Sequence, residues 1–280
     1  MTRDSKLHTL YGLKFNPFLP DLPLEALYVP APLESFLQRC ENHVAEGGFA
    51  MLTGVPGLGK SSAMRLLETR LSRTRDVLVR SLTYPQCRIG DFYRELGDAF
   101  GVSLTWSNRW GSFKMVRDKW AAHLETTRMR PVLFIDECQQ MLPTVLHELR
   151  LLTSKDFDSR SLLFVVFAGD LRFAETLRSP ELLPLDSRMR TRVRLEPASV
   201  AELTECLRHV LDKAGNAQLL TPGAVAALTE HAAGNARTLM GMGNDLLHAA
   251  VARDARQIDE KLFFDVFSTL PPRADSKRRR

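Results

Sequence analysis

No run of this chain approaches the ~20 consecutive apolar residues of a membrane span. The opening Met1-Thr2-Arg3-Asp4-Ser5-Lys6 also lacks the apolar core of a secretory signal. These absences exclude a membrane-embedded or exported chain from the expectation, which is a cytoplasmic protein with no membrane partner. Cysteine is scarce and scattered: Cys40, Cys87, Cys138 and Cys206 form no C-x-x-C pair. Neither a disulfide framework nor a thiolate metal site is expected, and all four read as reduced thiols. Cys138 directly follows an acidic pair, which predicts sensitivity to thiol reagents without a catalytic role. The seven histidines are spread along the chain and suggest no triad.

A large surplus of one charge is missing from the body of the protein. The net charge is +5, but Arg273 to Arg280 alone carry five basic residues against one Asp. The rest is close to neutral, so nucleic-acid contact would have to come from local patches or from the tail. Pro271-Pro272 followed by Lys and Arg reads as a disordered basic end, either a solubilising one or a phosphate-contacting arm.

What is present is a complete phosphate-binding loop. Residues 54–61 read Gly54-Val55-Pro56-Gly57-Leu58-Gly59-Lys60-Ser61, after the apolar run Phe49-Ala50-Met51-Leu52 and before a helical pattern. Strand, glycine loop and helix in that order are the setting in which the motif is specific. Gly54, Gly57 and Gly59 admit positive φ and keep side chains away from the approaching phosphates. Backbone N–H groups at the helix start, with Ser62 among them, then meet the β-phosphate. Lys60 supplies a cation for the β- and γ-phosphates, and the Ser61 hydroxyl is a ligand for Mg²⁺.

The second half of the site follows the apolar run Pro131-Val132-Leu133-Phe134-Ile135, which ends in Asp136-Glu137. Carboxylates at the C-terminal end of a buried parallel strand face the ligand crevice. Asp136 is expected to hold Mg²⁺ through water, and Glu137 to orient and polarise the attacking water. ATP and Mg²⁺ are therefore the expected cofactors, and ATP hydrolysis the expected reaction.

Pattern reading places further strands at 77–82, 161–167 and 193–195, alternating with helices at 34–46, 89–100, 113–126 and 143–153. Such alternation predicts an α/β fold with a parallel five-stranded sheet flanked by helices. From residue 199 onward only helices remain: 200–214, 222–232, 236–251 and 259–267. The expected organisation is an irregular segment at 1–33 packing on the core, an α/β ATPase core at 34–197, a small helical lid at 198–270, and the tail at 271–280.

This layout resembles the AAA+ P-loop NTPases. Tyr11-Gly12-Leu13 with Asn16-Pro17-Phe18, Asp136-Glu137-Cys138-Gln139, Leu149-Arg150-Leu151-Leu152 and Gly234-Asn235-Ala236-Arg237 narrow it further. They are similar to the ExeA-type secretion ATPases and to transposition regulators of the TniB, TnsC and MuB kind, over residues 9–268. The resemblance implies that Arg237 is a sensor on the lid, aimed at the γ-phosphate. It also implies that an arginine of Asp186-Ser187-Arg188-Met189-Arg190 completes the neighbouring subunit's site, Arg188 being the first choice and Arg190 the second. Asp170 stands where many AAA+ proteins carry a polar sensor, and a carboxylate there suits slow turnover.

Three kinds of work are compatible with such an ATPase: regulation of DNA transposition, secretion assembly, or small-molecule chemistry. The secretion branch continues into a membrane span, and none follows here, so the transposition reading is preferred. A lid and a trans arginine argue against the small-molecule enzyme, while another DNA-linked AAA+ role, such as helicase loading, stays open beside secretion assembly. The expectation is a homo-oligomer (ring, spiral or filament) that assembles with ATP on double-stranded DNA, recruits or activates a transposase with or without a target-selection adaptor, and disassembles on hydrolysis. Candidate DNA contacts are Arg73, Arg75, Arg109 and Lys114, near Arg70, Arg80, Trp106 and Trp110, although the 70–80 stretch reads equally as a solvated helix end.

Overall fold

The structure, a computed structural model, describes residues 3–104 and 108–268 and divides into two compact units. Trp106 and the basic tail at 271–280 lie outside the described residues. The chain opens with helix α1 (Arg3–Tyr11), which belongs to the second unit.

Val29–Glu196 form the first unit. Helix α2 (Ala31–His43), with Pro32 in its first turn, leads into strand β1 (Gly48–Gly54) and helix α3 (Lys60–Ser72). Strand β2 (Val77–Leu82), helices α4 (Ile89–Phe100) and α5 (Arg109–Ala122), strand β3 (Arg130–Ile135) and helix α6 (Pro143–Thr153) follow. A small antiparallel hairpin, β4 (Ser154–Lys155) with β5 (Arg160–Ser161), precedes strand β6 (Phe164–Gly169). Helices α7 (Leu171–Leu177) and α8 (Leu183–Asp186) then lead to strand β7 (Met189–Leu195).

The main sheet has five strands in the order β2-β3-β6-β1-β7, with every pairing parallel. Parallel strands need crossovers, and the intervening helices supply them on both faces. Alternation along β3 makes this visible: Leu133 and Ile135 enter one buried cluster, while Val132 and Phe134 enter the other. Phe49 and Met51 of β1 join the first cluster, and Ala50 and Leu52 the second. Because all the strands run one way, the β1, β3 and β6 ends converge on one edge, where the phosphate loop lies.

Pro197–Arg280 and Met1–Tyr28 make up the second unit. Its described helices are α9 (Val200–Ala214), α10 (Pro222–His231), α11 (Ala236–Ala252) and α12 (Glu260–Phe267), together with α1. Here the structure departs from the expected irregular N-terminal segment packed on the ATPase core. Residues 3–11 are helical, and Leu7, Tyr11, Leu13 and Phe18 are buried in the helical unit's own cluster. Hydrogen bonds stitch the segment there: Tyr11 Oη donates to the Ala255 carbonyl (2.8 Å), Lys14 N–H to the Ala214 carbonyl (2.9 Å), and Asn16 Nδ2 to Asn244 Oδ1 (2.9 Å). The prolines that forbid a long helix say nothing about which surface the aromatics between them cover.

Capping residues set where these helices begin. Ser199 accepts from Glu202 N–H while the Glu202 carboxylate accepts from Ser199 N–H, a reciprocal capping box at the start of α9. Ser199→Ala removes one acceptor and should cost about 1 kcal/mol, read as a lowered urea midpoint with unchanged slope.

Candidate nucleotide site

The loop between β1 and α3 is shaped by its glycines in two different ways. Gly57 and Gly59 have φ of +90°, a region L side chains rarely adopt. Gly54 does not lie at positive φ, contrary to the sequence reading. A Cβ there would stand 2.9 Å from the Leu195 carbonyl oxygen, so glycine is required because β7 passes so close. Lys60 opens α3, is only 8% exposed, and donates to the Gly54 carbonyl at 2.8 Å and the Val55 carbonyl at 3.1 Å. Its ammonium is thereby folded back over the loop formed by Val55, Pro56, Gly57 and Leu58. Ser61 and Ser62 follow in the first turn of the helix.

Asp136 is held from two sides at the end of β3. Ser61 Oγ donates to Asp136 Oδ2 at 2.9 Å, and the Glu137 N–H donates to Oδ1 at 2.8 Å. The hydroxyl and carboxylate predicted to share a cation are therefore neighbours, and they offer the hard oxygen donors a divalent ion takes. Glu137 has φ of +52°, uncommon outside glycine, and its side chain is exposed beside the loop. A short 3₁₀ turn, Cys138–Gln140, comes next.

That turn contains a residue to which no role was assigned from the sequence. Gln139 Nε2 donates to Glu137 Oε2 at 2.5 Å, and its Oε1 accepts from the Asp170 N–H at 3.1 Å. Asp170 itself is already engaged. Its carboxylate caps α7, accepting from Arg172 N–H at 2.9 Å, and also pairs with the Arg172 guanidinium. That guanidinium, with a smaller contribution from Lys60, holds the Asp170 carboxyl below the usual carboxylate range. Cys138 is fully buried, and burial pushes its thiol well up, so the expected thiol-reagent sensitivity has no accessible sulfur to act on.

Residues 43–177 match the family model AAA_22, described as an AAA domain. The chain carries an AAA domain. It is 32% identical over 216 residues to General secretion pathway protein A of Aeromonas hydrophila, an alignment covering 76% of this chain and 39% of that protein. The chain thus spans about two fifths of the length of that curated relative. The Aeropyrum pernix ORC2 protein, solved as ADPNP–ADP complexes, superposes with a TM-score of 0.68 at 15% identity, covering 92% of this chain and 72% of that one. The Aeropyrum pernix ORC1 protein in complex with DNA gives 0.66 at 20% identity, covering 90% and 68%. The fold is that of the AAA+ P-loop NTPases, which as a class bind and hydrolyse nucleoside triphosphates.

Within the AAA domain's unit, Arg188 and Arg190 lie at the opposite end of the sheet from the loop. Met189 pairs with Phe49, at the start of β1, whereas Leu195 pairs with Gly54 beside the loop. Five residues of strand make about 16 Å, beyond the reach of either side chain toward its own loop. Arg188 pairs with Asp158 of the hairpin and donates to the Pro184 carbonyl; Arg190 pairs with Glu46. Arg237 is exposed at the second position of α11 in the helical unit, two residues after Asn235, whose side chain caps that helix.

The candidate DNA residues are not brought together as one patch. Arg73 and Arg75 are exposed between α3 and β2, at the end of the sheet away from the loop, while Lys114 is exposed on α5. Arg109, also on α5, is tied to Glu148 of α6, donating from Nε to Oε1 at 3.0 Å and from Nη2 to Oε2. Glu148 is only 2% exposed and also accepts from Tyr93 Oη at 2.5 Å. Burial pushes its carboxyl up, but the Arg109 and Tyr93 donors outweigh this and leave it below the ordinary value of 4.5.

Arg109→Ala should therefore strand a buried carboxylate. Because the Arg109 side chain is 61% exposed, the cost is expected to be about 1–2 kcal/mol at pH 7 rather than that of a fully buried pair. A depressed folded-state value stabilises above the unfolded one and is lost as pH falls through it. The penalty should accordingly shrink as pH drops below 4.5, measured by urea unfolding of both proteins at pH 7 and pH 4.

Proposed function

We propose that the protein is an ATPase that uses ATP as an assembly switch. The observation that carries this reading is the convergence of the glycine loop, Lys60, Ser61, Asp136 and Glu137 on one edge of the sheet. In it, the N–H groups of the loop and the first turn of α3, Ser62 included, bind the phosphates. Ser61 and Asp136 would hold a hydrated Mg²⁺, which when bound neutralises charge on the β- and γ-phosphates. Glu137 orients and polarises the attacking water. Lys60 leaves the loop carbonyls for the β- and γ-phosphates.

Hydrolysis is then made to depend on a second copy. Arg188, with Arg190 as the alternative, is too far along the sheet to serve its own loop and is suited to a neighbour's γ-phosphate. Arg237 on the helical unit is the proposed sensor of nucleotide state. We assign the switch to regulation of DNA transposition: assembly with ATP on double-stranded DNA, recruitment or activation of a transposase, and disassembly on hydrolysis. Support comes from the DNA-linked AAA+ proteins among the fold's neighbours. A second reading, a secretion-assembly ATPase, is favoured by the 32% identity to General secretion pathway protein A.

The two readings separate on duplex DNA. With ATP and Mg²⁺, the transposition reading expects oligomers on DNA whose binding weakens steeply as salt rises. Filter binding and negative-stain imaging that find no ATP-dependent assembly on DNA would leave the secretion reading in place. Lys60→Ala should abolish nucleotide binding. Glu137→Gln should keep binding and accumulate ATP-bound oligomers, and turnover at the wild-type rate in that variant would remove Glu137 from the mechanism.

A further inference from the structure

We propose that Gln139 is a positioning residue for Glu137, an inference that rests on the ATPase reading above. The Glu137 carboxylate is exposed on a single residue in the left-handed region, so nothing in its own backbone fixes where its oxygens point. Gln139 supplies the missing constraint by donating from Nε2 to Glu137 Oε2. Its other end is anchored, because Oε1 accepts from the Asp170 N–H just past the end of β6. The two bonds also settle which way the amide faces: the N–H needs an acceptor and the carboxylate needs a donor.

Two local features permit this clasp. The 3₁₀ turn after Glu137, closed by Gln140 N–H to the Glu137 carbonyl and Met141 N–H to the Cys138 carbonyl, returns the Gln139 side chain toward the strand ends. Gly169 leaves the space: a Cβ there would stand 2.8 Å from Gln139 Oε1 and 2.5 Å from Cys138 Sγ. Glycine at the last position of β6 is therefore what lets the amide reach Asp170. Since the Asp170 carboxylate is occupied by Arg172 and by its helix cap, the polar link between β6 and the water-orienting carboxylate is the glutamine.

Gln139 touches no phosphate-binding group in this arrangement, so its effect should fall on turnover and leave binding alone. Steady-state ATPase rates and equilibrium Mg²⁺–ATP binding would be measured for wild type, Gln139→Leu, Gln139→Glu and Glu137→Gln. Leucine removes both hydrogen bonds. Glutamate keeps the acceptor for the Asp170 N–H, loses the donor to Glu137 and sets a second carboxylate against it. Both Gln139 variants are expected to lose about tenfold or more in kcat, a part of what a general base contributes, with ATP affinity within about twofold of wild type.

If Gln139→Glu turns over like wild type while Gln139→Leu does not, the residue merely anchors the strand end and the proposal is wrong. Weakened ATP binding in both variants would likewise assign it a structural role. Wild-type turnover in both variants with loss in Glu137→Gln overturns the positioning role and leaves the ATPase reading intact. Wild-type turnover in Glu137→Gln overturns both.

Discussion

The carboxylate of Asp136 is the joint on which the site depends. It closes β3 and is held between the Ser61 hydroxyl at the start of α3 and the N–H of Glu137. Through the first contact it ties the acidic strand end to the phosphate loop, and through the second it fixes the backbone from which Glu137 and then Gln139 project. A parallel sheet is what makes this possible, because β1, β3 and β6 deliver their C-terminal ends to one edge. The same parallel order carries the start of β7, with Arg188 and Arg190, to the far end. One chain therefore carries its phosphate loop and the ion-paired arginines Arg188 and Arg190 at opposite ends of the same sheet.

Much of this was legible in the residues because it is written in local patterns. The strand at 77–82 and the helices at 89–100, 143–153 and 200–214 fall where apolar spacing, glycine stops and proline starts put them. The acidic pair and the glycine loop could be read together because each has its own signature. What escaped was decided by contacts distant in sequence. The motif Tyr11 to Phe18 announces buried aromatics, but only the fold reveals that its partners lie more than two hundred residues away in the helical unit. Helix α1 has no strong apolar face to announce it. Gly54 looked like a conformational glycine and is in fact a packing one, because its crowding comes from β7.

Charged side chains were the least legible. Arg109 beside aromatics reads as a phosphate contact, yet a buried glutamate across α6 claims it. Asp170 stands at the position of a polar sensor, yet Arg172 engages both of its oxygens, one through its backbone N–H and one through its guanidinium. Gln139 carries no signal alone; a glutamine two residues after a glutamate gains meaning only when Gly169 brings β6 within reach. In each case the decision depends on which desolvated group most needs a partner, and that is a property of the assembled interior.

The central claim is that this edge of the sheet is a nucleotide site completed by a divalent cation. Equilibrium titration of the wild-type protein with ATP, with and without Mg²⁺, tests it most directly. One ATP bound per chain, with affinity that falls when Mg²⁺ is withheld, is the result the account predicts. Failure to bind ATP at millimolar concentration in the presence of Mg²⁺ would contradict it.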